Sequence, residues 1–579
     1  MNIQYQPELK IYKNNKVYDL SEFVQSMQIT KSLRNPVGSF SVVLNPTLSA
    51  NGKVGILTNK IFNEINAMLA VNDVIAGKID KRSKRHSFLG LTSQHIEVGS
   101  SMGGQTSRSI MITGGFALPK MLLRDSIIMA PSLSVTPEVL ADPVLKERAQ
   151  FFEFLRGVKD EKSPFLDTPE VAVKYILNNA VATNIKIYDG KEIKSLFPPA
   201  DSGIKDYNGN YMCNFKFLGR ESLYGSALSS YSGNLLNYIH ECLDKEFYEV
   251  FFDTTSGSDG IPYNTMTIRT KPFSHREMEN PQSYFYDWTY WEDLTKDAVT
   301  VKYEDIFERQ IGKSDYELKN FFRVNQPNVL VAQALGDFGL NFPIININSI
   351  KRHGLRALEI DSRSLVDTRK LVDEYNRLIS IGSGKSFLEI IMEYARQRNS
   401  FVYPKTEVKL SSKVVSLANV DMQPPAARSF GAEIFEGLFS KRDKIVEWYA
   451  FPYYEAGTLR MPHNEEVTIG RLINLPEYEY YFPLDGKVYK GIKIYPTDVT
   501  HTFNYGQIAE TRAVVTNGQP DGVVKKWFEH PDNKFTESPL TAKKPGSSFT
   551  ELSSEEKKFF DGIKQLNIDM LKIEELPNE

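Results

Sequence analysis

Cysteine is nearly absent. Cys213 and Cys242 are the only two in 579 residues, far short of a disulfide framework. Folding in a reducing cytoplasm is therefore expected, with both thiols as small buried hydrophobes. Long apolar runs are missing as well: none approaches the roughly 18–20 residues that a membrane-spanning helix needs. The opening MNIQYQPELKIYKNNK is polar and carries no secretory core, which predicts a chain soluble when made. Neither sign of charge prevails. With 69 basic against 72 acidic residues the net charge is −3, without the basic excess of a dedicated nucleic-acid binder. That balance still allows a protein that nucleic acid merely passes.

Catalytic constellations are equally scarce. The eight histidines, among them His86, His95, His353 and His501, stand isolated. None forms H-E-x-x-H or a Cys/His pair at ligand spacing, so no metal ligand is assigned. His501, between Thr500 and Thr502 in a strand-like stretch, is expected to be a hydrogen-bonded wall residue. No G-x-S-x-G elbow occurs, and no stretch singles out two carboxylates for glycoside hydrolysis. Gly384-Lys385-Ser386 matches the end of a phosphate-binding loop, but the required first glycine is replaced by Ile379. The residues before it read as a helix where such a loop follows a strand. No catalytic residue, cofactor or metal is expected.

What the chain does have is length and aromatic β-formers. A chain this long exceeds one core, so two to four domains are expected. Aromatics at 12% lean toward β-rich packing. Residues 1–125 are strand-rich. Leu9 to Tyr12 alternates, turns at Asn14-Asn15 and returns through Val17-Tyr18; Val24 to Leu33 and Ser39 to Leu44 follow, joined by Asn35-Pro36-Val37-Gly38. A short helix over Leu57 to Leu69 precedes strands at Val71 to Ile79, Phe88 to Gly90 and Ser109 to Gly114. Residues 126–245 read as a mostly helical insertion. Glu138 to Arg156 has a helical apolar period, and Thr168 caps a helix with Pro169 in its first position.

Strands resume at Phe247 to Asp253 and Thr265 to Thr270, within a segment set at 246–330. A helical subdomain spans 331–455, with helices at Arg369 to Ser380 and Lys385 to Asn399. Residues 456–522 return to strands. Glu466 to Ile469, Tyr478 to Tyr481, a strand from Val488, Val499 to Phe503 and Glu510 to Val515 are separated by Asp485-Gly486, Asn504-Tyr505-Gly506 and Asn517-Gly518. The fold class expected is β-rich α+β: two tube-like β-barrel domains with helical insertions, the second barrel split, opening at 246–330 and closing at 456–522. Residues 523–579 form a tail with a terminal helix, begun by the capping box Ser553-Ser554-Glu555-Glu556.

Two places are candidates for partner contact. Lys81, Arg82, Lys84 and Arg85 form a basic cluster between two strands. It is either a solvated hairpin tip or a contact with an acidic partner ring or with DNA phosphates. Phe559, Ile563 and Leu566 share one face of the terminal helix, which packs on its own barrel or docks a partner. The crowded aromatics from Tyr284 to Trp291 read as core or subunit interface before a sugar platform.

Taken in order, these segments resemble the baseplate or tail-tip hub proteins of tailed phages and related contractile injection systems, a contractile-tail hub of the late-control-protein kind. The N-terminal likeness lies in Tyr18-Asp19-Leu20-Ser21, Ile29 to Leu33 and Pro36 to Phe40. Val71-Asn72-Asp73-Val74 with Ala76-Gly77-Lys78-Ile79 is similar to the family's first wall strands, and Arg108 to Gly114 with Leu122 to Ile128 to the exit from that barrel. Phe251-Phe252-Asp253, Ile268 to Phe273 and Leu318 to Val324 resemble the start of the second barrel. Arg352-His353-Gly354-Leu355-Arg356 is similar to the entry of the helical insertion, with His353 where an aromatic is commoner. Val467 to Arg471 and Val499 to Phe503, with Gly506, Thr511 and Asn517-Gly518, resemble its close.

The resemblance implies a homotrimeric, non-enzymatic ring that adapts a sixfold tail tube to a threefold central spike. Its implied partners are the tail tube protein, the spike and other baseplate proteins, with DNA passing through the lumen without sequence-specific binding. Its implied place is the virion tail, assembled in the host cytoplasm. A tail-associated cell-wall hydrolase, a host-recognition component and the hub of a phage-derived injection system are the alternatives. No hydrolase motif follows Pro520.

Overall fold

A computed structural model describes residues 5–13, 16–45, 56–102, 105–124, 126–128, 169–177, 186–188, 193–195, 213–218, 232–257, 260–278, 287–315, 317–325, 343–362 and 441–537. The chain divides into two compact units, each built from three segments. The first takes Met1–Phe273, Asp287–Ser314 and Tyr453–Asp521; the second takes Ser274–Tyr286, Asp315–Pro452 and Gly522–Glu579.

In the first unit the N-terminal strands are β1 (Glu8–Lys13), β2 (Lys16–Asp19), β3 (Val24–Ser32) and β4 (Ser39–Leu44), then helix α1 (Ile56–Met68), β5 (Val74–Lys78), β6 (Phe88–Met102) and β7 (Gln105–Phe116). Helix α2 (Ala117–Arg124) follows, with the short strands β8 (Ser126–Ile128), β9 (Lys186–Tyr188), β10 (Ile193–Ser195), β11 (Cys213–Phe215) and β12 (Ser232–Asn234) and helices α3 (Pro169–Ile176) and α4 (Leu235–Cys242). Strands β13 (Tyr248–Ser256) and β14 (Pro262–Thr270), helix α5 (Trp291–Thr295), and β15 (Val299–Thr300) and β16 (Glu308–Lys313) come next. The second unit holds β17 (Phe321–Asn325), β18 (Ile344–Ile345), helix α6 (Ile347–His353) and β19 (Ala357–Asp361). The first unit resumes with β20 (Glu455–Pro462), β21 (Ile473–Phe482), β22 (Lys487–Asn504) and β23 (Glu510–Gln519); α7 (Val523–Glu529) and β24 (Thr536–Glu537) belong to the second.

The first unit is organised by one 13-stranded sheet in the order β16-β20-β23-β22-β3-β4-β7-β6-β5-β1-β2, with β21 and β15 branching from β22. Its alternation is the period-2 signal of half-buried strands. On β3, Met27, Ile29 and Lys31 are buried, whereas Gln28 between them faces solvent. Strand β22 is the junction. Residues 487–494 pair with β21 and residues 498–504 with β3, while β23 runs alongside. Pro496, which has no amide proton to give a ladder, sits where the β22–β23 register shifts. That bulge lets one strand serve two neighbours in succession. Strands β13 and β14 form a separate three-stranded sheet with β11; all nine residues of β13 are buried.

The protein is thus β-rich with a large antiparallel sheet, as expected. A closed barrel is not found among the described residues. The edge of β3 that would serve a closure within the N-terminal strands is taken by β22, and β16 pairs on one side only. Three element readings differ. Glu466 to Ile469 is a turn, because Gly470 has a φ of +76° and Thr468 is turned inward to a carboxylate. Phe321–Asn325 pairs with β18 and β19 in the second unit, not with the closing strands. The strands read at Val488 and at Val499 are one continuous β22.

The second unit has a four-stranded sheet, β19-β17-β18-β24, beside α6, α7 and a helical run over 441–449. Asn346 caps α6 by accepting from the Ser349 amide at 2.9 Å. Trp527, Phe528 and Phe535 pack with Phe322 and Phe451 as its aromatic core.

Candidate functional site: a polar sheet face and the ion network behind it

The solvent side of the long sheet is polar across its strands. Register aligns Glu308, Arg460, Arg512, Thr500, Thr30 and Ser39 in one row from β16 to β4. A neighbouring row carries Glu510, Thr502, Gln28, Ser41, Thr113 and Gln94. Arg460 holds Glu510 through two bonds of 2.9 and 3.0 Å and reaches Glu308 at 3.5 Å. Thr30 and Thr500 share a hydroxyl contact of 3.2 Å. Such a face, made of hydroxyls, amides and compensated charge, stays hydrated.

The opposite side of the same strands is apolar, ending in a buried ion network. β13 places Glu249, Phe251 and Asp253 on one face by strand alternation. Asp253 accepts from Lys31 of β3 and from Arg85, from the Thr468 hydroxyl at 2.9 Å and from the Thr254 amide at 2.7 Å. Burial penalises its charge, but Arg85 and Lys31 outweigh that and hold the carboxyl below the usual carboxylate range. Burial pushes Lys31 down to about 8 despite Asp253. The guanidinium never yields its proton, so Lys31 is the member that discharges first as pH rises.

Beside it lie two buried histidines, His501 and His86, and the half-buried His463. His501 Nδ1 contacts the Thr511 hydroxyl at 3.0 Å, and His463 meets His501 edge-on at 5.2 Å. Burial drives His501 well below its ordinary value, with His463 and Lys31 adding to the effect; it takes His463 to about 4 against the pull of Asp80. His86, bonded to Ser256 at 2.7 Å, is lowered by burial to about 3. His501 is therefore the hydrogen-bonded wall residue expected of it.

At the other end of β13, Glu249 accepts from Arg269 at 2.6 Å and from the Tyr495 hydroxyl at 2.6 and 2.8 Å. Arg269 also donates to the Gly470 carbonyl at 2.7 Å. Gly470 is required here: a Cβ would stand 2.2 Å from the Phe251 ring. Each carboxylate in the two networks is held by its donors, which makes the networks fasteners; Asp253, with four donors, has no lone pair left for acid–base work.

Of the basic cluster, Lys81, Arg82 and Lys84 are exposed, and Arg82 bonds Asp80 at 2.9 Å. Arg85 turns inward to Asp253 and donates to the Thr254 carbonyl at 3.0 Å. Phe559, Ile563 and Leu566 lie outside the described residues, as do the loop at 381–386, the helices read at 138–156, 369–380 and 385–399, and the box at Ser553. Trp288, Tyr290 and Trp291 are buried, core as expected, and Cys242 is a free, buried thiol. Lys31 and Asp253 were not singled out in the sequence. A signal existed at Lys31, a charge whose i±2 neighbours Ile29 and Leu33 are both apolar, which demands a partner; Asp253, between Phe251 and Thr255, carries only half of it.

No family model matches the chain, and no curated protein matches it. Solved structures do. A tail protein from Neisseria meningitidis MC58 matches over 91% of this chain and 99% of its own, at 9% identity and a TM-score of 0.40. The 43 kDa tail protein of prophage MuSo2 from Shewanella oneidensis matches over 88% and 98%, at 8% identity and a TM-score of 0.34. The chain is similar to phage tail proteins. An E. coli component of the type VI secretion system, itself structurally similar to the T4 bacteriophage tail proteins gp27 and gp5, matches over 86% and 74%, at 8% identity and a TM-score of 0.30. No helix among the described residues is long and apolar enough to cross a membrane.

Proposed function

We propose that this chain is a non-enzymatic hub of a phage tail baseplate or tail tip. Three copies form a ring that joins a sixfold tail tube to a threefold spike and lines part of the DNA-ejection channel. The observation that supports it is the pairing of β3 with β22, which makes strands from both ends of the chain into one antiparallel run, β16-β20-β23-β22-β3-β4-β7-β6. The run holds eight strands, so its two terminal strands point in opposite directions. One copy's β6 then meets the next copy's β16 in antiparallel register without reversing either.

Both of those edges are open and exposed. β6 has a partner on one side only beyond Thr92, and β16 is solvent-facing along most of its length. Edge strands of this kind pair with further chains unless blocked, and a heterologous contact that closes gives a ring. The N-terminal and closing strand sets act as two tube-like halves, and the polar face turns toward the lumen. Tail tube, spike and other baseplate proteins are the partners, and the virion tail is the location.

Imaging of the purified oligomer tests the reading: a threefold ring with a central channel is expected. A stable monomer that binds neither tube nor spike protein would falsify it.

A further inference from the structure

The turn between β5 and β6 carries more cations than its surroundings neutralise. Arg82 is answered by Asp80, while Arg85 and Lys31 share Asp253. The carboxylate of Glu465, which meets the Ser83 hydroxyl, offsets the second cation on Asp253. Lys78, Lys81 and Lys84 remain, none with a carboxylate partner among the described residues, and Lys81 and Lys84 are exposed. The excess is therefore three ammonium charges.

The turn is also fixed in place, unlike a solvated hairpin tip. The Lys81 amide donates to the Gln6 carbonyl at 2.6 Å, and Lys78 Nζ to the Ser83 carbonyl at 3.1 Å. The Arg85 amide donates to the Ser83 hydroxyl at 3.0 Å. Its guanidinium reaches inward to Asp253 and to the Thr254 carbonyl. Next to it the His86 amide donates to the Ser256 hydroxyl at 3.1 Å. Charges held this way lose little freedom when a partner binds.

We propose that this turn, through Lys81 and Lys84, docks an acidic surface of a partner protein. Two features favour carboxylates over the phosphates of nucleic acid. Asp80 occupies the Arg82 guanidinium from two sides at 2.9 Å, so the fork that best fits phosphate is taken and ammonium point charges face outward. Lys81 and Lys84 also lie three residues apart, within about 10 Å, a single spot and not a track along a polymer. Complementary charge of this kind steers encounter and fixes orientation. The inference goes beyond the proposed ring, because the turn lies within one chain.

The test is fluorescence anisotropy of a labelled oligoglutamate peptide with the full chain, from about 50 to 200 mM salt. Wild type is compared with K81Q/K84Q and with K487Q/K490Q, which removes the same charge from two exposed lysines of the β21–β22 hairpin. K81Q/K84Q is expected to weaken binding roughly tenfold, with the hairpin variant unchanged. D80N, which adds one to the net charge of the turn, is expected to tighten it. Equal loss in both lysine variants, or no binding by wild type at the lowest salt, overturns the proposal. So does a labelled DNA duplex that binds through the same lysines more tightly than the peptide, because the partner is then nucleic acid. A monomer that binds the peptide through the turn sinks the ring and keeps the docking site; a threefold ring that binds no peptide does the reverse.

Discussion

Asp253 is one carboxylate claimed by two cations, and the two claims are unequal. Asp253→Asn leaves Lys31 and Arg85 buried without a counter-charge and is expected to cost about 3–5 kcal/mol in urea denaturation. Lys31→Met replaces a buried ammonium by an apolar side chain of similar length while Arg85 still holds the carboxylate. It is expected to cost no more than about 1 kcal/mol. The histidines add a pH dependence whose sign follows from their burial. His463 is lowered from 6.5 to about 4, so between those values the unfolded chain binds the extra proton. Stability is full above pH 6.5 and falls toward pH 4. Denaturation at stepped pH should show that fall, and His463→Asn should reduce it by roughly 3 kcal/mol. A drop of the same size in the variant would mean that His463 does not contribute. Lys31 acts at the other end: lowered from 10.5 to about 8, it makes stability rise with pH across that interval, a rise that Lys31→Met should abolish.

Among the elements, those with clean alternation were legible in the sequence. The N-terminal strands at Val24 to Leu33 and Ser39 to Leu44 fall on β3 and β4 within a residue, and the helix at Leu57 to Leu69 on α1. There, local turn chemistry and period agree. Strand β22 was read in pieces because Gly491 and Pro496 are breakers in isolation; only the paired neighbours show that Pro496 occupies a bulge. Glu466 to Ile469 was read as a strand for its β-branched residues, but the left-handed Gly470 beside it decides for a turn. The two glycines Gly470 and Gly486 separate strain from crowding. Both have positive φ, +76° and +68°, but nothing lies within 4 Å of a Cβ at Gly486. Gly486→Ala should cost about 1–2 kcal/mol, from the left-handed backbone alone. Gly470→Ala should cost about 1–3 kcal/mol more, since the Phe251 ring must move. Equal losses in thermal denaturation would remove the close approach of Phe251 as the reason for that glycine.

At the scale of the molecule, the join between the two strand sets was the part least open to reading. The sequence showed that strands near residue 460 to 520 needed partners, and Glu308–Lys313 does pair with Glu455–Pro462. The partner on the other side, β3, lies about 470 positions away, and no local pattern encodes a contact at that separation. The same pairing leaves β16, and β6 beyond Thr92, each with one open side, which gives the proposed ring a direct test. Ile96 and Val98 on β6 are 42% and 45% exposed, apolar side chains at the surface of an open edge. Ile96→Lys with Val98→Lys should therefore leave the stability of the single chain within about 0.5 kcal/mol of wild type. Charges on an edge strand block addition of another strand, so if copies join through β6 as proposed, the same variant should sediment as a monomer and wild type as a trimer. A trimer that persists in this variant would show that copies meet elsewhere than at β6, and the eight-strand run would then end at a free edge instead of continuing into its neighbour.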